Sequence, residues 1–194
     1  MAESASDQIR KAIASQVTPK AIQRAASRAL NKAMTSTRAE ASRRVKEELN
    51  LKVGDIKKEL TVQKAKASDG LRDMRSTLIV SNKPVELFKF GAKAKKVRSA
   101  RGPRVGTTVK VKQERKLVAG GFIAQMRSGK IGVFKRSGGT TSTGKEKIKL
   151  LYSTRVRDVF LNDGFLEKLG DFAGKRLETT LAQELSFEIS KGQK

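Results

Sequence analysis

Two short apolar runs separated by a glycine-containing turn constrain the fold of this chain more than any other feature. The runs are Phe122-Ile123-Ala124 and Ile131-Gly132-Val133-Phe134, and Arg127-Ser128-Gly129-Lys130 lies between them. Runs of β-forming residues joined by a short polar turn are typical of an antiparallel hairpin. Gly120-Gly121 precedes the first run and indicates a bulge or a close approach of backbone, because glycine lacks a Cβ. We expect a later run, Ile148 to Tyr152, to supply a further strand.

Helical patterns lie on both sides of this hairpin in the sequence. Thr18-Pro19 is a typical helix start, because Thr caps free N–H groups and Pro suits the first helical position. Small and apolar residues then recur every three or four positions as far as Leu49. At ~1.5 Å per residue such a helix is roughly 45 Å long. Its alanine-rich face predicts close packing, either laterally against a second subunit or across the chain's own sheet.

A second amphipathic pattern begins near Thr154 and continues to Ile189. The glycines that could interrupt it are Gly164, Gly170 and Gly174. Between the two long patterns, we predict a short helix over residues 52–60, a polar loop over residues 61–72 and a strand over residues 77–80. The chain should therefore adopt an α+β fold with a long N-terminal helix, a small antiparallel sheet with a central hairpin, and a long C-terminal helix.

We expect one domain preceded by a short arm. Residues 1–17 form the arm or a short helix, and residues 18–194 form a single α+β domain. Within that domain, residues 91–108 read as a flexible basic loop because glycine and proline interrupt a run of cations. Residues 136–146 read as a second flexible loop, rich in Gly, Ser and Thr.

The charge of the chain points to an anionic partner. The net charge is +24, and residues 51–116 alone hold 19 basic and six acidic side chains, whereas residues 153–194 hold seven of each. An excess of this size indicates nucleic acid or a strongly acidic protein surface, and it disfavours a merely soluble basic surface because of self-repulsion. The basic segment lacks interleaved aromatic residues and known DNA-reading motifs, so contacts should be to phosphates rather than base edges.

The candidate contact residues for DNA or a partner protein are basic side chains of residues 91–108 and of the hairpin. They are Lys93, Lys95, Lys96, Arg98, Arg101, Arg104, Lys130, Lys135 and Arg136.

No catalytic, cofactor or metal site is predicted, and we expect no enzyme. Cys and His are absent, which excludes their nucleophile and base chemistry, the usual zinc ligands and disulfides. Residues 139–145 imitate a phosphate-binding loop, but Glu146 stands where that motif needs Ser or Thr, and a predicted strand follows instead of a helix. Glu184 and Glu188, like Glu47-Glu48, read as solvated helix faces. No apolar run is long enough to span a membrane.

The hairpin also carries a family resemblance. Residues 120–136, G-G-F-I-A-Q-M-R-S-G-K-I-G-V-F-K-R, followed by I-K-L-L-Y-S-T-R at residues 148–155, resemble the minor tail protein Z family of long-tailed bacteriophages. Arg28-Ala29-Leu30-Asn31-Lys32 is similar to a step in the alanine-rich N-terminal helix of that family. Two features depart from the family pattern. Ser153 stands where Gly or Pro is common, and the C-terminal helix is electrically neutral, which argues against a DNA role for that helix.

The resemblance implies a structural virion protein at the head-proximal end of the tail, made in the host cytoplasm. It implies completion of the tail for head joining and genome passage by a ring subunit, commonly sixfold. The implied partners are copies of the chain, tail terminator or head–tail connector proteins, and phage DNA through its phosphates, with no membrane. The residues alone leave open a sequence-nonspecific nucleic-acid-binding protein, which predicts neither a closed ring nor presence in purified particles.

Overall fold

The structure is a computed structural model that describes residues 7–10, 18–97, 104–142 and 144–192. The chain divides into two compact units. The first comprises residues 1–42, 60–80 and 160–194, and the second comprises residues 43–59 and 81–159. Two compact units of one chain can still fold together, so the single domain stays a prediction.

The elements bear out the α+β fold. The helices are α1 (Pro19–Glu48), α2 (Val53–Glu59), α3 (Gly70–Asp73), α4 (Val156–Phe160) and α5 (Phe165–Gly192), with 3-10 turns at Ala67–Asp69 and Leu87–Phe90. The strands are β1 (Leu60–Gln63), β2 (Thr77–Val80), β3 (Pro84–Glu86), β4 (Lys93–Val97), β5 (Arg104–Lys110), β6 (Arg115–Val118), β7 (Gly121–Gln125), β8 (Ile131–Thr140), β9 (Glu146–Leu150) and β10 (Tyr152–Arg155). Residues 7–10 are helical.

Both long helices are confirmed, with one interruption. The Thr18 carbonyl accepts hydrogen bonds from the N–H groups of Ala21 (2.9 Å) and Ile22 (3.1 Å), so α1 begins where the Thr-Pro signal predicted. The C-terminal pattern is divided into α4 and α5 at Gly164, whose φ of +72° suits glycine. Gly170 and Gly174 lie inside α5 without breaking it.

In the first unit, α1 packs against α5 in an antiparallel pair. Ile22, Ala25, Ala26 and Ala29 of α1 form one buried cluster with Leu181 and Leu185 of α5. The Thr180 hydroxyl donates to the Ala29 carbonyl (3.3 Å), and the Arg176 Nε donates to the Ser36 hydroxyl (3.3 Å). Residue numbers increase along α1 where they decrease along α5, so the two helices are antiparallel. The alanine face packs against the chain's own helix, and contact with a second subunit stays a prediction.

The first unit also holds a two-stranded sheet that the sequence only half predicted. The strand over Thr77–Val80 is confirmed, and its partner is β1, with Leu60 opposite Val80. The predicted loop over residues 61–72 was wrong at both ends, because β1 extends to Gln63 and a 3-10 turn and α3 cover residues 67–72. The strand was missed because its pattern is only four residues long. Asn31 of α1 holds the segment after β1, since its side chain donates to the Ala65 carbonyl (2.9 Å) and accepts from the Ala65 N–H (2.8 Å).

The second unit contains the predicted hairpin. Strand β7 pairs antiparallel with β8, with Phe122 opposite Phe134, and the two ring centroids lie 6.2 Å apart. Phe134 is buried, whereas Phe122 is only partly buried. The predicted close approach occurs at Gly121, where an added Cβ would lie 2.8 Å from Cγ1 of Val118. The sheets of this unit enclose a core of Leu87, Val109 and Val133.

The strand predicted over residues 148–152 is divided in two. Strand β9 pairs with β8 and ends at Leu150, whereas Tyr152 begins β10, which pairs with β3. Leu151 separates them because it bonds in two directions. Its N–H donates to the Val133 carbonyl (2.8 Å), and its carbonyl accepts from the Leu87 N–H (3.0 Å).

The two predicted loops are largely strands. Most of residues 91–108 lies in β4 and β5, because β-branched residues on β5, such as the buried Thr107 and Val109, fit a central strand between β4 and β6. Of residues 136–146, β8 covers the part up to Thr140, and β9 begins at Glu146. Gly138 and Gly139, with φ of +78° and +74°, lie where the register of β8 against β9 shifts.

Candidate polyanion interface

Strands β8 and β9 separate their charged side chains onto two faces. Lys135 lies directly opposite Lys149, and Arg136 lies directly opposite Ile148. Because side chains alternate along a strand, Lys147 shares a face with Lys149. We call Lys135, Lys147 and Lys149 the lysine face. In the described part of the chain, no carboxylate lies within ion-pair distance of these three side chains, and all three are exposed.

The opposite face of the same strands is neutralised. The Arg136 guanidinium forms an ion pair with the Glu146 carboxylate. Its Cζ also lies 6.0 Å from the centroid of the Phe122 ring, a cation–π geometry. Ile148 adds an apolar side chain, 40% exposed, to this face. Arg136, predicted as a contact residue, is therefore already engaged within its own sheet.

In two places in the second unit, two residues of like charge lie directly opposite each other on paired strands. One is Lys135 with Lys149, and the other is Lys110 of β5 with Arg115 of β6. Like charges at opposite positions of an antiparallel pair are destabilising. Arg115 is oriented by backbone carbonyls rather than by an acid, since its Nη1 donates to Gly91 (2.9 Å) and Thr108 (3.2 Å). The fold thus keeps cations together that an anion would stabilise.

Lys130, another predicted contact residue, is held by an acid. Its Nζ lies 2.8 Å from Oε1 of Glu86. That hydrogen bond raises the pKa of Lys130 above its usual value. The residue closes the β7–β8 turn against the strand that carries Glu86, and its charge is satisfied there.

Four of the remaining predicted contact residues lie on strands β4 and β5. Lys93 is exposed and lies opposite Thr108. Three more lie on the paired backbones, with Lys95 opposite Gly106, Lys96 opposite Val105 and Arg104 opposite Val97. Arg98 and Arg101 lie outside the described residues. Strand β5 adjoins the other sheet, because the Thr107 hydroxyl donates to the Gly121 carbonyl (3.1 Å) next to β8.

Sequence reasoning missed Lys147 and Lys149, although a signal was present. Residues 147–149 read Lys-Ile-Lys, and this alternation on a predicted strand places both lysines on one face. It also missed Lys110 and Arg115 as a pair, since their register depends on how β5 meets β6.

Glu184 and Glu188 were wrongly predicted as solvated. They are 6% and 5% exposed in the first unit, and Arg28 of α1 bridges them with hydrogen bonds of 2.5 Å to each. Lys32 also binds Glu184. The hydrogen bond from Arg28 lowers the pKa of Glu188. Burial alone would raise the pKa of Glu184, but the bonds from Lys32 and Arg28 outweigh burial and lower it. Helical periodicity could not reveal cations from another helix.

The glycine-rich segment leads into a strand, where a phosphate-binding loop requires a helix. The Thr141 N–H donates to the Lys145 carbonyl (2.7 Å), and strand β9 follows immediately, as expected. Within the described residues, no group of three or more acidic side chains is placed to hold a metal ion, and no helix is long and apolar enough to cross a membrane.

Comparison with known proteins identifies the family of the chain. No curated protein and no solved structure matches it. The sequence profile described as prophage minor tail protein Z (GPZ) matches residues 6–191. That span includes α1, all but the last residue of α5, the hairpin and the lysine face, and it confirms the resemblance first carried by the hairpin motif. The chain therefore belongs to the prophage minor tail protein Z family.

Proposed function

We propose that this minor tail protein, a structural component of the phage virion, completes the tail at its head-proximal end. In that position it prepares the tail for head joining and for passage of the genome. Family membership supports a role in the tail, and the charge pattern supports this end of it, where the tail meets DNA and the connector proteins. The family assignment points to a structural role rather than to enzymatic chemistry.

The observation that carries the proposal is the set of uncompensated cations in the second unit. Repulsion destabilises the isolated chain at two places, where Lys135 lies opposite Lys149 and where Lys110 lies opposite Arg115. A bound polyanion would remove this repulsion and stabilise the protein. Phosphate contacts release counterions and are indifferent to base sequence. Such contacts suit a genome that must be held and then pass through.

The assembled form we propose is a closed ring of copies, with sixfold symmetry as the first expectation. A net charge of +24 opposes association of like subunits until an anion screens it. Assembly then depends on the tail, where a tail terminator or head–tail connector protein and DNA supply that screening. A ring forms when each copy contacts the next through two different surfaces and the last copy meets the first.

The first test removes five predicted contact residues between positions 95 and 104. The variant replaces Lys95, Lys96, Arg98, Arg101 and Arg104 with Gln. If about five side chains reach phosphates, the log–log dependence of DNA affinity on salt has a slope of roughly −4 to −5. In the variant this slope should flatten while thermal stability is kept, and phage carrying it should make tails but fewer infectious particles. Wild-type infectivity together with unchanged DNA binding would refute a DNA-binding role for these five residues.

The second test concerns location and separates the alternative function. The chain is labelled in phage, particles are purified, and the label is imaged by electron microscopy. We expect label at the junction of head and tail. A label absent from purified particles, with retained DNA affinity, would instead support the sequence-nonspecific nucleic-acid-binding protein.

A further inference from the structure

We infer that the lysine face is a docking surface for the phosphate backbone of duplex DNA, with the β8–β9 ribbon lying along the major groove. The β8–β9 ribbon comprises residues 135–149. This inference rests on the proposed function and deepens it. It assigns DNA contact to Lys147 and Lys149 in addition to Lys135. It excludes Lys130 and Arg136 from the DNA contacts, because they form ion pairs with Glu86 and Glu146.

The shape of the ribbon supports this assignment. Every described residue from 135 to 149 is exposed. Strand β7 pairs with β8 only as far as Lys135, so beyond that residue β8 and β9 continue as a two-stranded ribbon. Paired strands lie about 4.8 Å apart, and a two-stranded ribbon is one of the elements that the major groove, about 12 Å wide, admits. The register shift at Gly138-Gly139 marks a bulge, which increases the twist of a ribbon. A side-chain hydrogen bond from Ser137 Oγ to the Lys147 carbonyl (3.2 Å) joins the two strands.

The division of charge between the faces supports it independently. The only acid of the β8–β9 ribbon, Glu146, is bound by Arg136 on the far face. The lysine face therefore presents three flexible point charges and no carboxylate. Lysine binds phosphate as a point charge without the fixed geometry of arginine, which suits contacts that ignore sequence.

An acidic protein is the other polyanion that could meet this face, and two observations disfavour it. Lysine is depleted in protein–protein interfaces, whose centres are apolar and aromatic. The apolar side chain of the β8–β9 ribbon, Ile148, lies on the opposite face with Arg136. The lysine face thus lacks the apolar centre that a protein partner would bury.

The test compares two triple variants that lose the same charge. The ribbon variant carries Lys135→Gln, Lys147→Gln and Lys149→Gln. The control variant carries Lys20→Gln, Lys168→Gln and Lys175→Gln, three exposed lysines on the long helices. Affinities for a short duplex and for single-stranded DNA of the same sequence are measured over a range of salt concentrations. Thermal unfolding verifies that both variants are folded.

For the ribbon variant we expect weaker duplex binding and a log–log salt slope shallower by up to about 2.7, because three phosphate contacts are lost. The control variant should bind like the wild type. The loss should be larger for duplex than for single strand, since only the duplex offers a groove.

Three outcomes would overturn the inference. Equal losses in the two variants would mean that total charge alone matters. Unchanged duplex binding, with particles that fail to incorporate the ribbon variant, would make the lysine face a protein contact. An equal loss of affinity for single-stranded DNA would show that the lysine face does not bind in the major groove of a duplex. The proposed function is judged separately, by whether the wild-type chain labels the head–tail junction, so the two can fail independently.

Discussion

Replacing Arg28 with Ala should destabilise the pair of helices α1 and α5. Arg28 donates from Nε to Glu184 and from Nη2 to Glu188, and each distance is 2.5 Å. Both acids are buried and lie one turn apart on α5, so without Arg28 they repel each other and lose their main hydrogen bonds.

The expected loss of unfolding free energy depends on the contacts that Glu184 and Glu188 keep in the variant. Removing one partner of a buried ion pair costs about 3–5 kcal/mol. The Arg28 side chain is 38% exposed, which screens the interaction, and Lys32 still contacts Glu184. Arg24 still lies 3.6 Å from Glu188. We therefore expect a loss of about 2–3 kcal/mol, a fall in Tm of about 5–10 °C for a chain of this size.

The assay is urea and thermal unfolding followed by far-UV circular dichroism, with Arg24→Ala as the matched control. Arg24 is one turn away, its side chain is 55% exposed, and its contact with Glu188 is long, so its loss should cost less than about 1 kcal/mol. Adding Glu188→Gln to Arg28→Ala should restore part of the stability, because it removes the unpaired buried charge. Equal effects of Arg28→Ala and Arg24→Ala would refute the bridging role.

The pH dependence gives a second check on the same bridge. The folded-state pKa values of Glu184 and Glu188 are lowered, so their stabilisation is present above the unfolded value, about 4.3, and is lost as pH falls through the folded values. The difference in unfolding free energy between wild type and Arg28→Ala should therefore be full at pH 7 and shrink below about pH 4. A difference that does not change with pH would mean that packing, and not charge, is lost.

Three further predictions concern the second unit and assembly. Phe134→Ala should cost about 3–5 kcal/mol and Phe122→Ala about 1–2 kcal/mol, since only Phe134 is fully buried, and urea melts will rank the two. Lys149→Glu should raise the free energy of unfolding by about 0.2–1 kcal/mol, because it turns a like-charged pair with Lys135 into an opposite one, while DNA binding weakens; a destabilised Lys149→Glu would contradict the register argument. Native mass spectrometry at moderate salt should find the isolated chain monomeric or weakly associated, and a stable closed oligomer without any partner would contradict the role of charge.

The sequence by itself determined the elements whose signals are local. The Thr18-Pro19 start, the three- and four-residue spacing of α1 and the two apolar runs of the hairpin each depend on residues within a turn or two. Backbone propensity and side-chain periodicity act over that same range, so these elements were predictable. Strands β1, β4 and β5 were not, because each has a short pattern that becomes a strand only by pairing with a distant partner.

Only the tertiary structure decided which charges remain available. Lys130 is neutralised by Glu86 and Arg136 by Glu146, whereas Lys135 meets another lysine. Glu184 and Glu188, which look solvated along their own helix, are buried because α1 brings Arg28 and Lys32 to them. An ion pair between distant residues depends on register and packing, and these follow from the whole core rather than from any local stretch. The excess of positive charge is therefore a property of the sequence, and its concentration on one face of a ribbon is a property of the fold.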